Sequence, residues 1–357
     1  MAVKTERILY PRYQNWLTGL EAKLTKPDLR PSELGAAPYA VEVRVLQNIC
    51  NSSCISCIGQ NEGGRKIIAN PDMVRAFIKE ASENGVSQID FSGPNSEPSL
   101  HPDFDSFLKT TADSGLSLGV FTNATRLPLS TISILADCAN YVLVNLAASN
   151  PNMYEKIYGT KFFDPALDNL KKLAAESKKH QDRREHKIAV NYTLTSRNST
   201  EKAIRAMLNL FSSIGADSLN VVWPFSFLYI TPTPDREAEL RPQLSQAEIE
   251  AIVKEAGESG LNIFFTAQRE DKRKQLSRFC WAQFQRLVLD PDGSLLACRS
   301  TYSTESGSNG LRIGLYDPGN LSGLLSDPAR DSEATCGKCQ PLDQKFNKRI
   351  NEIFDLF

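Results

Sequence analysis

The chain is organised around one short stretch, Val45-Leu46-Gln47-Asn48-Ile49-Cys50-Asn51-Ser52-Ser53-Cys54-Ile55-Ser56-Cys57. Its three cysteines, Cys50, Cys54 and Cys57, follow the spacing C-x3-C-x2-C. Three thiolates on one loop can bind three irons of a 4Fe–4S cube and leave the fourth iron open to another ligand. An open iron can bind a substrate, so the pattern predicts a reaction centre rather than a simple electron carrier.

Zinc and a disulfide are the alternative uses of these cysteines. A structural zinc site needs four nitrogen or sulfur ligands, usually as two C-x2-C-like pairs. This stretch has three cysteines, and the nearest histidine along the chain is His101. A disulfide would leave one cysteine over, and the spacings are too short for comfortable pairing. The pattern therefore favours an iron–sulfur cluster.

The C-x3-C-x2-C loop resembles the signature of the radical S-adenosylmethionine (SAM) enzymes. The resemblance implies that SAM chelates the open iron through its amino and carboxylate groups. It also implies that one electron from the cluster cleaves SAM to methionine and a 5′-deoxyadenosyl radical, which abstracts a hydrogen atom from a substrate. The family usually has an aromatic residue just before the third cysteine, where this chain has Ser56. We expect the backbone or Ile58 to make the adenine contact instead.

Length, charge and composition narrow the class of protein. The 357 residues suffice for one large domain and a smaller one. A net charge of −1 does not indicate a phosphate-binding face, so we expect no nucleic-acid partner. No run of about 18 apolar residues predicts a membrane span, and the first residues lack a hydrophobic signal core. Eight cysteines in such a chain indicate metal sites, and we expect a cytoplasmic protein.

From residue 41 onward, short apolar runs alternate with amphipathic segments, the pattern of repeated βα units. We predict strands over residues 41–46, 87–91, 117–121, 141–146, 187–194 and 218–223. Parallel strands joined by helices predict an α/β fold, here an open (β/α)6 partial TIM barrel with a small C-terminal α+β iron–sulfur module. The predicted domains are an N-terminal extension (1–39), the core barrel (40–230) and an auxiliary-cluster domain with a C-terminal helix (231–357).

The turn after the second predicted strand contains a candidate SAM ligand. Reactive groups in such folds gather at the carboxyl ends of the strands. Residues 91–104 include Gly93 and the pair Glu97-Pro98. They resemble the family's Gly-Gly-Glu-Pro motif, which grips the SAM amino group, although residues 94–96 depart from it. The resemblance implies that Gly93 and Glu97 bind the cofactor.

The next three turns supply further cofactor candidates. The pair Thr122-Asn123 resembles the family's Thr-Asn-Gly turn, which implies that Asn123 faces the pocket. Asn145 and Thr195 follow the next two strands, where the family contacts the SAM ribose or carboxylate. Each of these polar residues is also typical of an ordinary turn or helix N-cap.

A second cysteine set lies downstream. Cys280, Gly293 and Cys298 form C-x12-G-x4-C, and Cys336 and Cys339 form C-x2-C. Four cysteines can saturate one tetrahedral zinc or one 4Fe–4S cube, and spacing alone favours zinc. The arrangement resembles the Twitch form of the SPASM auxiliary-cluster modules of radical SAM enzymes. That resemblance implies an auxiliary 4Fe–4S cluster without an open iron, for electron transfer or structure.

These features predict a metal-binding radical SAM oxidoreductase or isomerase of natural-product biosynthesis. Its substrate would be a polar small molecule such as a sugar, aminocyclitol or nucleoside, which it would dehydrogenate, epimerise or rearrange. Its electron donor would be a flavodoxin or ferredoxin. The alternatives are a maturase of a ribosomally made peptide and a non-enzymatic iron–sulfur or zinc scaffold. The sequence does not identify a catalytic base. Cys138 lies at the end of a predicted helix, and we expect it to pack in the core.

Overall fold

The computed structural model describes residues 11–24, 29–34, 36–57, 65–93, 95–180, 187–224, 234–266, 281–297 and 312–331. The strands in these ranges are β1 (Ala40–Val43), β2 (Leu46–Gln47), β3 (Ile67–Ile68), β4 (Gln88–Phe91), β5 (Ser117–Thr122), β6 (Tyr141–Asn145), β7 (Lys187–Thr193), β8 (Ser218–Val222), β9 (Ile263–Thr266), β10 (Arg286–Leu289), β11 (Ser294–Leu296) and β12 (Arg312–Leu315). The helices are α1 (Pro11–Glu21), α2 (Pro31–Leu34), α3 (Pro71–Glu83), α4 (Phe104–Asp113), α5 (Leu129–Cys138), α6 (Pro151–Tyr158), α7 (Phe163–Lys178), α8 (Glu201–Ile214), α9 (Pro234–Leu240), α10 (Gln246–Glu258), α11 (Ala282–Gln285) and α12 (Leu321–Leu325).

One mixed sheet, mostly parallel, dominates the fold. Its strand order is β12-β11-β10-β1-β4-β5-β6-β7-β8-β9. Neighbouring strands are parallel from β10 through to β9, while β11 and β12 are antiparallel additions. The six strands predicted from the sequence are all present, as β1 and β4–β8. The prediction of an α/β partial TIM barrel is confirmed, and the described strands do not close into a complete barrel.

The helices of the βα units form because their apolar residues recur on one face and their ends are capped. Helix α8 begins after Thr200, whose side chain accepts the Ala203 N–H, and ends at Gly215 with φ of 81°. Its buried face presents residues such as Met207 and Phe211 to the main core. Each such side chain contributes roughly 1.5–3 kcal/mol by leaving water.

The parallel sheet continues beyond residue 230. Strand β9 pairs with β8, and β10 pairs with β1 on the opposite side, with Val43 opposite Leu289. The turn residues Asp290-Pro291-Asp292-Gly293 are typical of a hairpin, which is present as β10–β11 with Gly293 at φ of +86°. The domain boundary at 230 stays a prediction, but the core barrel and the downstream residues share one hydrogen-bonded sheet.

A second apolar core joins the N-terminal residues to the downstream module. Tyr13 and Leu17 of α1 cluster with Trp281 and Phe284, which lie just before the β10–β11 hairpin. The buried Arg330 guanidinium lies 4.4 Å above the Phe284 ring centroid. The described part of the predicted N-terminal extension therefore packs as part of the protein body. Every helix in the described ranges is too short or too polar to cross a lipid bilayer.

A buried charge network fastens β10 to β1. The Arg44 Nε donates to Glu42 Oε1 (2.9 Å), and its NH1 donates to Asp290 Oδ1 (3.1 Å). The Arg44 side chain is 5% exposed. Buried ion pairs add little net stability, but removal of one partner leaves the other charges uncompensated.

Replacement of Arg44 by alanine is expected to destabilise the protein by about 3–5 kcal/mol, because two buried carboxylates lose their counter-ion. Urea unfolding of the cluster-free protein measures this change. Arg205→Ala is the matched control, since Arg205 also contacts two carboxylates, Glu201 and Glu255, but at the surface. We expect its unfolding midpoint to stay near that of the wild type. Equal midpoints for the two variants would contradict the buried network.

Candidate functional site

The three cysteines lie on a loop at the carboxyl edge of the parallel sheet, as predicted. The loop leaves the sheet after β1, and the short antiparallel pair β2–β3 brackets residues 48–66. Cys50, Cys54 and Cys57 are all partly buried and are not paired as disulfides. The sequence therefore places the three thiols where parallel α/β folds assemble their active sites.

The end of helix α6 holds the backbone of this loop. The Ser53 N–H donates to the Tyr158 carbonyl (2.8 Å), and the Ile55 N–H donates to the Ile157 carbonyl (2.9 Å). These are carbonyls of the last helical turn, which have no partner within the helix. Gly159 caps the helix at φ of +67°, and a Cβ there would lie 3.3 Å from Ser53 Cβ. The close approach of loop and helix thus depends on this glycine.

Side-chain amides fasten the same loop to the turn after β5. The Asn123 Nδ2 donates to Asn51 Oδ1 (2.8 Å), and the Asn51 Nδ2 donates to Thr125 Oγ1 (2.7 Å). Asn123 Oδ1 in turn accepts the Thr125 hydroxyl (2.6 Å). The predicted cofactor residue Asn123 is therefore a positioning residue for the cysteine loop, and its contact with SAM stays a prediction.

Glu97 is buried beside the cysteine loop, with 2% of its surface exposed. Its Oε1 accepts the hydroxyls of Ser99 (2.7 Å) and Thr122 (2.7 Å), and its Oε2 accepts the Asn123 N–H (2.7 Å). Burial raises the pKa of Glu97, and these hydrogen bonds oppose that rise. A carboxylate offers about four acceptor positions. Oε2, with one described donor, retains room for an ammonium group.

The thiols are electrostatically coupled to each other and to Glu97. Burial is the main cause that raises the pKa of Cys50 to about 11, and the charges of Glu97 and Cys57 add to it. Burial also raises the pKa of Cys54 well above its usual range, with contributions from Cys57 and Cys50. Without a bound cation the two thiols are protonated at neutral pH. A positive metal centre would reverse this preference.

Gly93 occupies a position that only glycine fits. Its φ is +158°, and an added Cβ would lie 2.5 Å from Ser96 Oγ and 3.5 Å from Arg44 Cγ. Because Gly93 has no side chain, the backbone here can approach neighbouring groups closely. This geometry agrees with the glycine turn expected after the second barrel strand, while its contact with SAM stays a prediction.

Thr195 is fully buried in the turn after β7. Its hydroxyl donates to Asn198 Oδ1 (3.0 Å) and accepts the Arg197 N–H (3.2 Å). These bonds form the ordinary turn that such residues favour. The proposed contact between Thr195 and SAM stays a prediction, because the structure gives this hydroxyl a local role.

A row of three amides crosses the sheet on its polar face, and we call Asn145, Asn191 and Asn220 the asparagine row. The Asn220 Nδ2 donates to Asn191 Oδ1 (3.0 Å), and the Asn191 Nδ2 lies 3.4 Å from Asn145 Oδ1. All three side chains are partly exposed. The alternate positions, such as Val144 and Val221, are buried in the main core. Asn145 was predicted as a cofactor residue, whereas the sequence reasoning missed Asn191 and Asn220, although polar residues at alternate strand positions were a usable signal.

The donor set suits an iron–sulfur cluster, which is bound by cysteine thiolates. Within the described residues, no group of three or more His, Cys, Asp or Glu side chains is arranged to hold a single metal ion. Thiols that each bind a different iron of a cube need not converge on one point. Several buried hydroxyls on the surrounding segments also lack a hydrogen-bond partner: Ser52, Ser96, Ser149, Tyr154 and Thr160. Buried polar atoms of this kind are satisfied by a ligand or water in most proteins.

Other predicted site residues fall outside the described ranges or away from this edge. Cys280, Cys298, Cys336 and Cys339, Ile58 and the predicted C-terminal helix lie outside the described residues. Cys138 ends α5 before β6, so it lies at the opposite edge of the sheet from the cysteine loop. It is partly buried and packs against the main core, as expected.

Comparisons with known proteins agree with this geometry. Residues 45–210 match the family model described as the Radical SAM superfamily. No curated protein matches the chain. Among solved structures, SuiB of Streptococcus suis bound to S-adenosylmethionine is similar with a TM-score of 0.63 and 16% identity, over 92% of this chain and 74% of SuiB. SuiB bound to precursor peptide SuiA is similar at the same TM-score and identity, over 94% of this chain and 77% of SuiB.

The structure of native anSMEcpe with bound AdoMet is also similar, with a TM-score of 0.60 and 14% identity over 89% of this chain and 99% of that one. At these identities the likeness to solved structures concerns the fold. The family match covers the three cysteines, Glu97 and the strands from β2 to β7. Residues 45–210 therefore form a radical SAM domain, of the kind that uses a 4Fe–4S cluster and S-adenosylmethionine.

Proposed function

We propose that this protein is an enzyme that reductively cleaves SAM and abstracts a hydrogen atom from a polar substrate. The observation that carries the proposal is the placement of three thiols and a buried carboxylate at one edge of a parallel sheet within a radical SAM domain. Cys50, Cys54 and Cys57 would hold the cluster, and Glu97 would accept the SAM ammonium group. When bound, the cluster and SAM would supply the electron and the 5′-deoxyadenosyl radical.

The residues around the thiols prepare the site for this chemistry. Helix α6 and the Asn51–Asn123 contact fix the loop before any cofactor binds, which lowers the cost of ordering it. The burial of Glu97 favours ionisation only when a cation is close, so an ammonium group would be bound as an ion pair. We infer that Gly93 lets the backbone approach SAM beside this carboxylate.

The substrate we favour is a polar, hydroxyl-rich small molecule such as a sugar, aminocyclitol or nucleoside. The described charges on the polar face, Glu42, Asp90 and Asp290, are each close to an arginine, Arg44 or Arg286. The partly exposed groups on the same face include the amides of the asparagine row. Amides donate and accept hydrogen bonds without charge, which suits hydroxyl groups. The product would be dehydrogenated, epimerised or rearranged.

A peptide is the second candidate substrate. SuiB has been solved with precursor peptide SuiA, and anSMEcpe with bound AdoMet and Kp18Cys peptide. Both share the fold over most of this chain, and peptide amides would also complement the asparagine row. The chain would then crosslink or epimerise a ribosomally made peptide.

The downstream cysteine quartet would bind an auxiliary 4Fe–4S cluster as a Twitch-type module, and a flavodoxin or ferredoxin would supply electrons. Support comes from the spacing of Cys280, Cys298, Cys336 and Cys339. The quartet would saturate its cluster, so an electron-transfer or structural role follows.

The function is tested by anaerobic reconstitution followed by reduction with dithionite in the presence of SAM. The wild type is expected to bind about eight irons and to form 5′-deoxyadenosine. The variant with Cys50, Cys54 and Cys57 replaced by alanine is expected to keep about four irons and to form no 5′-deoxyadenosine. The matched control replaces the downstream quartet and should retain SAM cleavage. A wild type that binds iron but never cleaves SAM would leave only the scaffold alternative.

The substrate class is tested by deuterium transfer to 5′-deoxyadenosine. Perdeuterated sugars and nucleosides form one set of candidates, and perdeuterated peptides form the other. Our proposal expects label from the first set. Label from peptides alone would replace the small-molecule assignment with the second candidate while leaving the radical chemistry intact.

Cluster assembly is expected to release protons and to become less favourable as the pH falls. Burial raises the pKa of Cys50 to about 11 and the pKa of Cys54 well above its usual range, so both must lose a proton to become ligands. The bound iron of the quartet-to-alanine variant, measured at fixed free iron between pH 6.5 and 8.5, should rise with pH. Binding that does not change with pH would show that the thiols are already ionised.

Gly159→Ala is expected to weaken iron retention, because the added Cβ must displace Ser53 by a few tenths of an ångström. Gly85→Ala is the control: Gly85 has φ of +86° and nothing within 4 Å of an added Cβ. Both variants should lose about 1–2 kcal/mol of stability from the left-handed backbone. Only Gly159→Ala should lose bound iron faster during gel filtration, and equal iron loss would contradict the role of α6.

A further inference from the structure

Two buried hydroxyls beside the cysteine loop have no hydrogen-bond partner. Tyr154 of α6 is fully buried, and Ser52, between the first two cysteines, is 8% exposed. The Tyr154 Oη and Ser52 Oγ atoms are both shielded from solvent and unpaired. A buried polar group of this kind is unfavourable when it finds no partner. Their location suggests that the partner belongs to the site.

Packing fixes the Tyr154 ring against the loop. The ring stacks on Tyr158 with centroids 4.2 Å apart and meets Phe163 edge-on at 5.9 Å. Tyr158 is already engaged, since its hydroxyl accepts the Ala147 N–H (2.7 Å) and its carbonyl accepts the Ser53 N–H. Tyr154 therefore has a rigid ring and a hydroxyl without a described acceptor.

Helix α6 places Tyr154 beside the Cys54 segment, because one turn further on the Ile157 and Tyr158 carbonyls accept the N–H groups of Ile55 and Ser53, which flank Cys54. Burial raises the pKa of Tyr154, and the charge of Cys54 is the next cause that raises it. The Ser52 hydroxyl lowers that pKa, so it faces the phenol, although the two groups do not reach hydrogen-bond geometry. A thiolate sulfur at Cys54 would be an acceptor for the phenol.

We propose that Tyr154 is a positioning residue that donates a hydrogen bond to the Cys54 sulfur once the cluster is bound and thereby raises the reduction potential of the cluster. Hydrogen bonds to the sulfurs of a cluster stabilise its more negative, reduced form. Loss of the bond makes the potential more negative, so the cluster becomes harder to reduce. The inference rests on the proposed function, because it requires that Cys54 is a cluster ligand.

The test is a redox titration of the full chain, followed by electron paramagnetic resonance. The signal that changes when SAM is added identifies the cluster in question. Tyr154→Phe is expected to shift its midpoint potential to a more negative value. Tyr316→Phe is the matched control, because Tyr316 is a buried tyrosine whose hydroxyl donates to Glu80 (2.8 Å), away from the thiols. An unchanged potential in Tyr154→Phe would overturn the proposal.

Melting temperatures give a second readout. In the cluster-free protein, Tyr154→Phe removes an unpaired hydroxyl and should not lower the melting temperature. In the loaded protein, it should reduce the rise in melting temperature that cluster binding causes. Tyr154→Phe could instead lower the melting temperature by the same amount in both states, and Ser52→Ala could do the same. That result would mean that the two hydroxyls bond only to each other, which would contradict the proposal.

A third variant covers the case in which Tyr154→Phe does not fold. Site-specific 3-fluorotyrosine at position 154 keeps the ring and has a more acidic hydroxyl, so the potential should become more positive. An unchanged potential would again overturn the proposal. A wild type without any SAM-responsive cluster would instead contradict the proposed function, so the two failures are distinguishable.

Discussion

The site depends on one constraint: a loop with three thiols must be held rigidly at the carboxyl edge of a sheet although its own residues form almost no regular structure. The last carbonyls of α6 meet this need by accepting the N–H groups of Ser53 and Ile55. Asn51 adds a side-chain anchor to the turn after β5. Loop and helix are thus joined through backbone groups that each would otherwise lack a partner. The thiols are positioned by this scaffold before they bind anything.

Glu97 connects the cysteine loop to the neighbouring turns. Its N–H donates to the Ile49 carbonyl, and its carboxylate accepts groups from Ser99, Thr122 and Asn123. The same carboxylate raises the pKa of Cys50 and Cys54 through its charge. Positive charge from iron and from an ammonium group would relieve this repulsion, so the thiols and Glu97 favour the same occupants.

Much of the fold was predictable because its signals are local. Alternating apolar runs and amphipathic segments locate β1 and β4–β8, and the hairpin around Gly293 follows from its turn residues. The parallel pairing of β10 with β1 was not predicted, because a contact between residues more than 240 positions apart leaves no local pattern. The packing of α1 on Trp281 and Phe284 escaped prediction for the same reason.

The thiols and Glu97 could be predicted from the sequence, because their motifs are short and specific. Asn51 and Tyr154 were missed, because their importance comes from neighbours in space. Polar turn residues such as Thr195 showed the opposite difficulty. Their sequence pattern suits a ligand or a turn equally, and the structure gives Thr195 bonds within its own turn.

The most direct test of the central claim is ⁵⁷Fe Mössbauer spectroscopy of the reconstituted chain with and without SAM. If Cys50, Cys54 and Cys57 hold a cube with one open iron, SAM should change the signal of a single iron site, and their replacement by alanine should abolish that response. A spectrum that SAM leaves unchanged in the fully loaded wild type would contradict the account.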